Sequence, residues 1–145
     1  MLEPVILVVE DNEIQQKVIK LLADEFGYKT ILTSSCMEAL DRMEHDQEFS
    51  MILLDMRMPV VDGQECLQLI RAKESMRGKR TPVIAMTAHI QSGDREKCIE
   101  LGMDDYLPKP FSAVEFKAKI EQWFAETMKR PESVSDLRPE MPMES

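Results

Sequence analysis

Apolar residues fall along this chain in short unbroken blocks, separated by longer stretches in which they recur every three or four positions. Val5-Ile-Leu-Val-Val9 and Met51-Ile-Leu-Leu54 run directly into acidic residues, Val83-Ile-Ala-Met86 follows Pro82, and the shorter Tyr106-Leu107 precedes Pro108. Blocks this uniformly apolar read as strands buried on both faces, which belong to parallel sheets covered by helices on each side. Lys29 to Thr33 completes a set of five.

Helical periodicity fills the gaps. Ile14, Val18, Leu21 and Leu22 share one face, which the pattern assigns to the core, and Gly27 supplies a C-terminal stop. Ser35 caps a short helix that turns Ala39, Leu40 and Met43 inward. A helix after Gly63 carries Cys66, Leu67 and Ile70, and a segment around Ile99 and Leu101 ends at Gly102. The last helix has the strongest start signal: Ser112-Ala-Val-Glu115 is a capping box, followed by Phe116, Ile120, Trp123 and Phe124 at helical spacing. Trp123 and Phe124 read as core anchors. Five strands alternating with five helices imply right-handed crossovers and an α/β fold, a single doubly wound five-stranded parallel sheet of flavodoxin-like order 2-1-3-4-5. That domain is expected over residues 1–127; residues 128–145, interrupted by Pro131, Pro139 and Pro142, are expected to be a disordered tail or linker end.

Composition narrows the function. At 145 residues there is room for one domain with a substantial core. A formal charge of -9 argues against nucleic acid or an anionic membrane as a partner. Cys36, Cys66 and Cys98 are odd in number and fit no paired metal-ligand spacing, so they read as reduced, small apolar residues of a cytoplasmic protein. There is no basic segment followed by an apolar stretch at the N-terminus, and no apolar run approaches the ~18 residues needed to span a bilayer.

The chemistry collects at the carboxyl ends of the strands, where open parallel sheets bind ligands. Strand one ends in Glu10-Asp11, strand three in Asp55, strand four in Thr87, and strand five is followed by Lys109-Pro110. Three carboxylates brought close together repel one another unless a cation sits among them, and oxygen-only ligands point to magnesium. Asp55 leaves a buried strand for a loop containing proline and glycine, which suits a nucleophile that forms an aspartyl phosphate. Lys109 is placed to neutralise phosphoryl oxygens and Thr87 to donate a hydroxyl hydrogen bond. Taken singly, each residue has a plainer role: Glu10 and Asp11 as helix caps, Thr87 as a strand end, Lys109 as a surface cation. His45, between Glu44 and Asp46, reads as solvated.

As a set, Val8-Val-Glu-Asp11, Asp55-Met-Arg-Met-Pro59, Asp62-Gly63, Met86-Thr-Ala88 and Lys109-Pro-Phe111 resemble the motifs of response-regulator receiver domains, in order and at family spacing over residues 4 to 127. The resemblance implies a phosphoacceptor module of a two-component or phosphorelay system. Asp55 would take a phosphoryl group from phosphohistidine, and no separate substrate would turn over. Asp11 and Asp55 would bind Mg2+ directly, Glu10 through water, and the backbone carbonyl of Arg57 would be a further ligand. Thr87 and Tyr106 are similar to the pair that couples phosphorylation to the output face. Lys109-Pro110 looks like the family's usual cis bond, and Arg57 and His89 occupy positions that tune phosphoryl lifetime. The implied donor is a histidine kinase or histidine-phosphotransfer protein. The implied output is an unnamed protein bound by the fourth helix, fifth strand and fifth helix. Glu10-Asp-Asn12 and Thr87-Ala-His89 look more like receivers joined to hybrid histidine kinases. From its residue type alone, Tyr106 is equally well an amphipathic edge residue.

Two other classes compete. An aspartyl-phosphate hydrolase on a related fold usually carries a general-acid carboxylate two residues after its nucleophile, where this chain has Arg57. A flavin or nucleotide carrier needs a glycine-rich loop after strand one, where this chain has Glu10-Asp-Asn-Glu13.

Overall fold

The computed structural model describes residues 5–45, 49–57, 61–78, 80–87, 96, 99–100 and 102–129. The elements are β1 (Val5–Val9), α1 (Glu13–Glu25), β2 (Lys29–Thr33), α2 (Cys36–His45), β3 (Met51–Asp55), α3 (Gly63–Arg77), β4 (Val83–Thr87), β5 (Asp105–Pro108) and α4 (Ala113–Lys129). Between β4 and β5, Glu96, Ile99 and Glu100 are helical. Gly102 follows at φ 107° and its N–H donates to the Ile99 carbonyl at 3.0 Å, at the stop expected for the fourth helix of the series. The C-terminal tail lies outside the described residues, apart from its first two positions in α4.

The five strands are parallel in the order β2-β1-β3-β4-β5. Strands β1, β3 and β4 are flanked on both edges, which is why their sequences are apolar without alternation; β1 and β3 are buried at every position. Their side chains nonetheless divide by parity. Leu7, Val9, Ile52, Leu54, Val83 and Ala85 join the core under α2 and α3. Ile6, Val8, Leu53, Ile84, Met86 and Leu107 join the core under α1 and α4, with Phe116 and Ile120. Burying twelve such strand side chains contributes on the order of 1.5–3 kcal/mol each before chain entropy is counted.

The helix ends follow their signals. Asn12 Oδ1 accepts from Gln15 N at 2.9 Å, and Ser35 Oγ accepts from Glu38 N at 3.1 Å. The capping box closes in both directions, Glu115 N to Ser112 Oγ at 3.1 Å and Ser112 N to Glu115 Oε1 at 2.9 Å. Gly27, at φ 84°, follows α1.

Two expectations are corrected. Ile14 is 71 % and Leu21 68 % exposed, Val18 is also exposed, and α1 instead buries Ile19 and Ala23, with Leu22 partly covered. The inward face runs through Gln16, whose Nε2 donates to the Glu10 carbonyl at 2.6 Å and the Thr33 carbonyl at 3.2 Å. A buried-side polar residue therefore disguised the phase of the helix. Cys36 and Cys66 are a disulfide, not free thiols. Packing of α2 beside α3 brings two positions 30 residues apart to a Cα–Cα distance of 5.6 Å, which a cysteine count cannot foresee.

Away from the ligand edge, Arg71 ties three elements together. It donates to the Gly102 carbonyl, the Thr81 carbonyl, Glu74 and Asp104 at 2.7–3.1 Å. Glu74, only 4 % exposed, also accepts from Thr81 N at 2.7 Å. Among the described residues no helix is long and apolar enough to cross a membrane.

Candidate functional site

The carboxyl ends of β1, β3 and β4 and the segment after β5 meet at one edge. Alternation continues the inward parity of β1 into Glu10 and of β3 into Asp55, so both carboxylates stand on the α1 side and are buried, while Asp11 is exposed. One ligand oxygen from each of Glu10, Asp11 and Asp55 lies within 4.8 Å of the others. That donor set is all oxygen, mixes buried and exposed carboxylates, and fits a hard divalent cation that retains water on its open side.

Lys109 enters from beyond β5 through a cis bond to Pro110. Its Nζ reaches Glu10 Oε1 at 2.9 Å and Asp55 Oδ1 at 3.4 Å. Asp55 Oδ1 also accepts from the backbone N–H of Arg57 at 3.0 Å, which turns the loop back over the carboxylate. Glu10 Oε2 accepts from Asn12 N at 3.2 Å. Burial drives the Glu10 carboxyl up to about 7; the Lys109 contact opposes the rise and the neighbouring Asp55 adds to it.

Thr87 ends β4, one residue beyond Met86, the partner of Asp55 in the sheet. The Thr87 carbonyl accepts from Lys109 N at 2.7 Å, so the two site residues are joined through backbone. Alternation puts Thr87 on the opposite face from Asp55, the face of Ala85 and its partner Tyr106, and Tyr106 is partly buried against the core under α2 and α3. Thr87 and Tyr106 therefore share one face of neighbouring strands. His89 lies outside the described residues, as does Cys98. His45 is exposed and bonded to Asp41.

Gly63 explains why a glycine must open α3. A Cβ there would stand 2.5 Å from Met56 Cα and 2.9 Å from the Asp55 carbonyl oxygen, so the start of α3 rests on the backbone of the candidate nucleophile. Asp62 caps that helix by accepting from Glu65 N at 3.0 Å.

Sequence reasoning missed three contributors. Asn12, not Glu10 or Asp11, takes the α1 cap, and an Asn before a helical run is a recognisable signal. Gln16 was hidden by its polarity, although its spacing to Ile19 and Ala23 marks it as inward. The Arg57 N–H has no signature in residue type at all.

A family model for the response regulator receiver domain matches residues 6–121. The receiver domain of a sensor histidine kinase from Pseudomonas aeruginosa, solved with a magnesium ion coordinated in its active-site cleft, is 40 % identical at a TM-score of 0.74. That match covers 86 % of this chain and 99 % of that one. Hybrid signal transduction histidine kinase I of Dictyostelium discoideum is 39 % identical over 111 residues, 74 % of this chain but 6 % of that protein. The polar-differentiation response regulator DivK of Brucella ovis is 35 % identical over 121 residues, 83 % of this chain and 96 % of that one. With the parallel sheet and the gathered carboxylates already in place, these matches establish that the chain belongs to the response regulator receiver domains of two-component signalling.

Proposed function

We propose that this receiver accepts a phosphoryl group on Asp55 from a phosphohistidine of a histidine kinase or histidine-phosphotransfer protein, and switches a protein-interaction surface in response. The observation that carries this reading is the convergence of Lys109 on Glu10 and Asp55, at 2.9 and 3.4 Å, beside a cluster of three carboxylates. Asp11 and Asp55 would hold Mg2+, with the Arg57 carbonyl as a further ligand and Glu10 acting through water. The magnesium reported for the similar Pseudomonas receiver supports that choice. The ion would supply positive charge against the phosphoryl oxygens.

In the transfer, a carboxylate oxygen of Asp55 bonds to phosphorus while the phosphorus–nitrogen bond to the donor imidazole breaks, its electron pair leaving on the nitrogen. Lys109 gives up part of its contact with Glu10 and Asp55 to pair with a phosphoryl oxygen, and Thr87, on the other face at the end of the neighbouring strand, turns its hydroxyl over the strand end to donate to another. The added charge, up to about two units, then biases Tyr106 and the surface of the fourth helix, β5 and α4 toward an output partner. Arg57 and His89 tune how long the group survives. The exposed stripe Ile14, Val18 and Leu21 starts beside Asp11 on α1, and an approaching donor protein must cover that end of the helix to reach Asp55.

A hydrolase with steady turnover is disfavoured because Arg57 stands where a general-acid carboxylate belongs and cannot protonate a leaving group. The test is intact-protein mass after incubation with acetyl phosphate and Mg2+. One phosphoryl group should appear on the wild type and none on Asp55→Asn; an equal adduct on both overturns the assignment.

A further inference from the structure

The Cys36–Cys66 disulfide lies in the core under α2 and α3, each cysteine in the first turn of a helix whose start is bonded to a strand end of the site. Cys36 opens α2, three residues after Thr33, and Thr33 is bound on two sides to the strand that carries Glu10. Its Oγ1 donates to the Val8 carbonyl at 2.7 Å, and its carbonyl accepts from Glu10 N at 3.0 Å. Cys66 lies in the first turn of α3, and its N–H donates to the carbonyl of the capping Asp62 at 2.9 Å. Next to Asp62, Gly63 rests on Met56 and the Asp55 carbonyl, with Gly63 N donating to Met56 O at 3.3 Å. The sulfur bridge thus joins the start of α2, next to the Thr33 contacts with Val8 and Glu10, to the start of α3, which rests on Met56 and Asp55. At their other ends α2 and α3 are tied by Lys73 and Glu44 at 2.9 Å.

We propose that this pair is a redox-responsive clip that sets how fast Asp55 takes up a phosphoryl group. Closed, it holds the start of α3 against Met56 and the Asp55 carbonyl; opened, it loosens that contact and uptake slows. The inference rests on the phosphoacceptor reading above. With exposures of 2 % and 0 %, the two sulfurs admit only a small reagent unless the helices part. Hydrogen peroxide closes the clip in two steps. One thiol takes an oxygen atom to become a sulfenic acid with release of water, and the second sulfur then displaces that oxygen as a second water while the S–S bond forms. Two electrons pass from the sulfurs to peroxide. A dithiol reverses the change, its own sulfurs becoming a cyclic disulfide and its two hydrogens passing to the cysteines.

The experiment compares wild type reduced with dithiothreitol, then freed of it, with the same protein re-oxidised by peroxide. Denaturing alkylation counts thiols: of the three cysteines, one should react in the closed form and three in the open form. Phosphoryl uptake from acetyl phosphate and Mg2+ is followed by intact mass. The reduced form should react more slowly by about threefold or more, since a misplacement of about 1 Å can cost up to about a hundredfold. Peroxide should restore the rate, and a Cys36→Ala/Cys66→Ala protein should match the reduced rate whatever its redox history. Equal rates in the two wild-type forms, three reactive thiols after peroxide, or the same redox response in the double variant would each overturn the clip alone. An absent adduct in both forms, or an adduct on Asp55→Asn, overturns the phosphoacceptor reading and the clip with it. The wild-type comparison needs no substitution, so a folding defect in the double variant cannot mimic the result.

Discussion

Replacing Gly63 by alanine sets a single methyl group against the backbone of Asp55, the proposed phosphoacceptor. Its Cβ would lie 2.5 Å from Met56 Cα, 2.7 Å from Met56 Sδ and 2.9 Å from the Asp55 carbonyl oxygen. Carbon atoms rest about 3.5–4.0 Å apart, so α3 and the end of β3 must separate by roughly 1 Å. The Met56 side chain can swing aside, but the backbone atoms are held: Met56 N donates to Met86 O at 3.0 Å and Gly63 N to Met56 O at 3.3 Å. Overpacking of this kind costs about 1–3 kcal/mol. Against it stands the better helix propensity of alanine, at most about 1 kcal/mol and less in a first turn. The clash prevails, with a net loss of about 1–2 kcal/mol, or roughly 4–8 °C in Tm for a domain of this size. Because the atoms that move belong to Asp55 and its neighbour, phosphoryl uptake should also fall by about tenfold. Thermal unfolding followed by circular dichroism and a mass time course with acetyl phosphate measure both. A Tm at or above that of wild type with unchanged uptake would refute the close-approach argument.

Arg71→Ala should destabilise the fold by about 3 kcal/mol in urea titrations, because Glu74 would remain buried without its guanidinium while Asp104 keeps Arg80 at 3.1 Å; a loss under about 1 kcal/mol would show the network to be dispensable. Burial pushes the Asp105 carboxyl up, but hydrogen bonds from Lys119, Trp123 and Tyr106 N outweigh it and hold the group below its ordinary 3.8. A depressed folded-state value stabilises above that pH and is lost as pH falls through the folded value, so the advantage of wild type over Asp105→Asn should shrink in acid below 3.8. An advantage that stays flat across that window in acid unfolding curves would remove the charge from the account. Ile14→Ser and Leu21→Ser should change stability by no more than about 0.5 kcal/mol because both side chains face solvent, yet should slow transfer from a histidine-phosphotransfer protein without slowing uptake from acetyl phosphate. Core-sized losses of about 2–5 kcal/mol would instead return them to the interior.

Apolar blocks bounded by acidic residues, proline or glycine were enough to place the strands within a residue or two at their ends, because a parallel strand covered on both faces tolerates little else. Caps at Ser35 and Ser112 were legible for a similar reason, since the side chain that satisfies a free N–H is close in sequence to it. The residues that gather at the candidate site were legible as a list: each ends or closely follows a strand, and the topology puts strand ends on one edge.

Where the residues go within that edge was not legible. That Glu10 and Asp55 take one face of the sheet while Thr87 and Tyr106 take the other follows from strand parity relative to two separate cores. The phase of α1 was misread because Gln16 turns inward to satisfy two carbonyls, a demand set by β1 and β2 and not by the helix itself. The cysteine pair was misread for a deeper reason: closure over 30 residues depends on how α2 packs against α3. By itself, then, the sequence determined the elements, their order and the chemical inventory, since these depend on local propensity and burial pattern. Only the tertiary structure decided which carboxylates meet Lys109, which apolar stripe stays in water and which sulfurs touch, because those are distances between groups that the chain brings together only by folding.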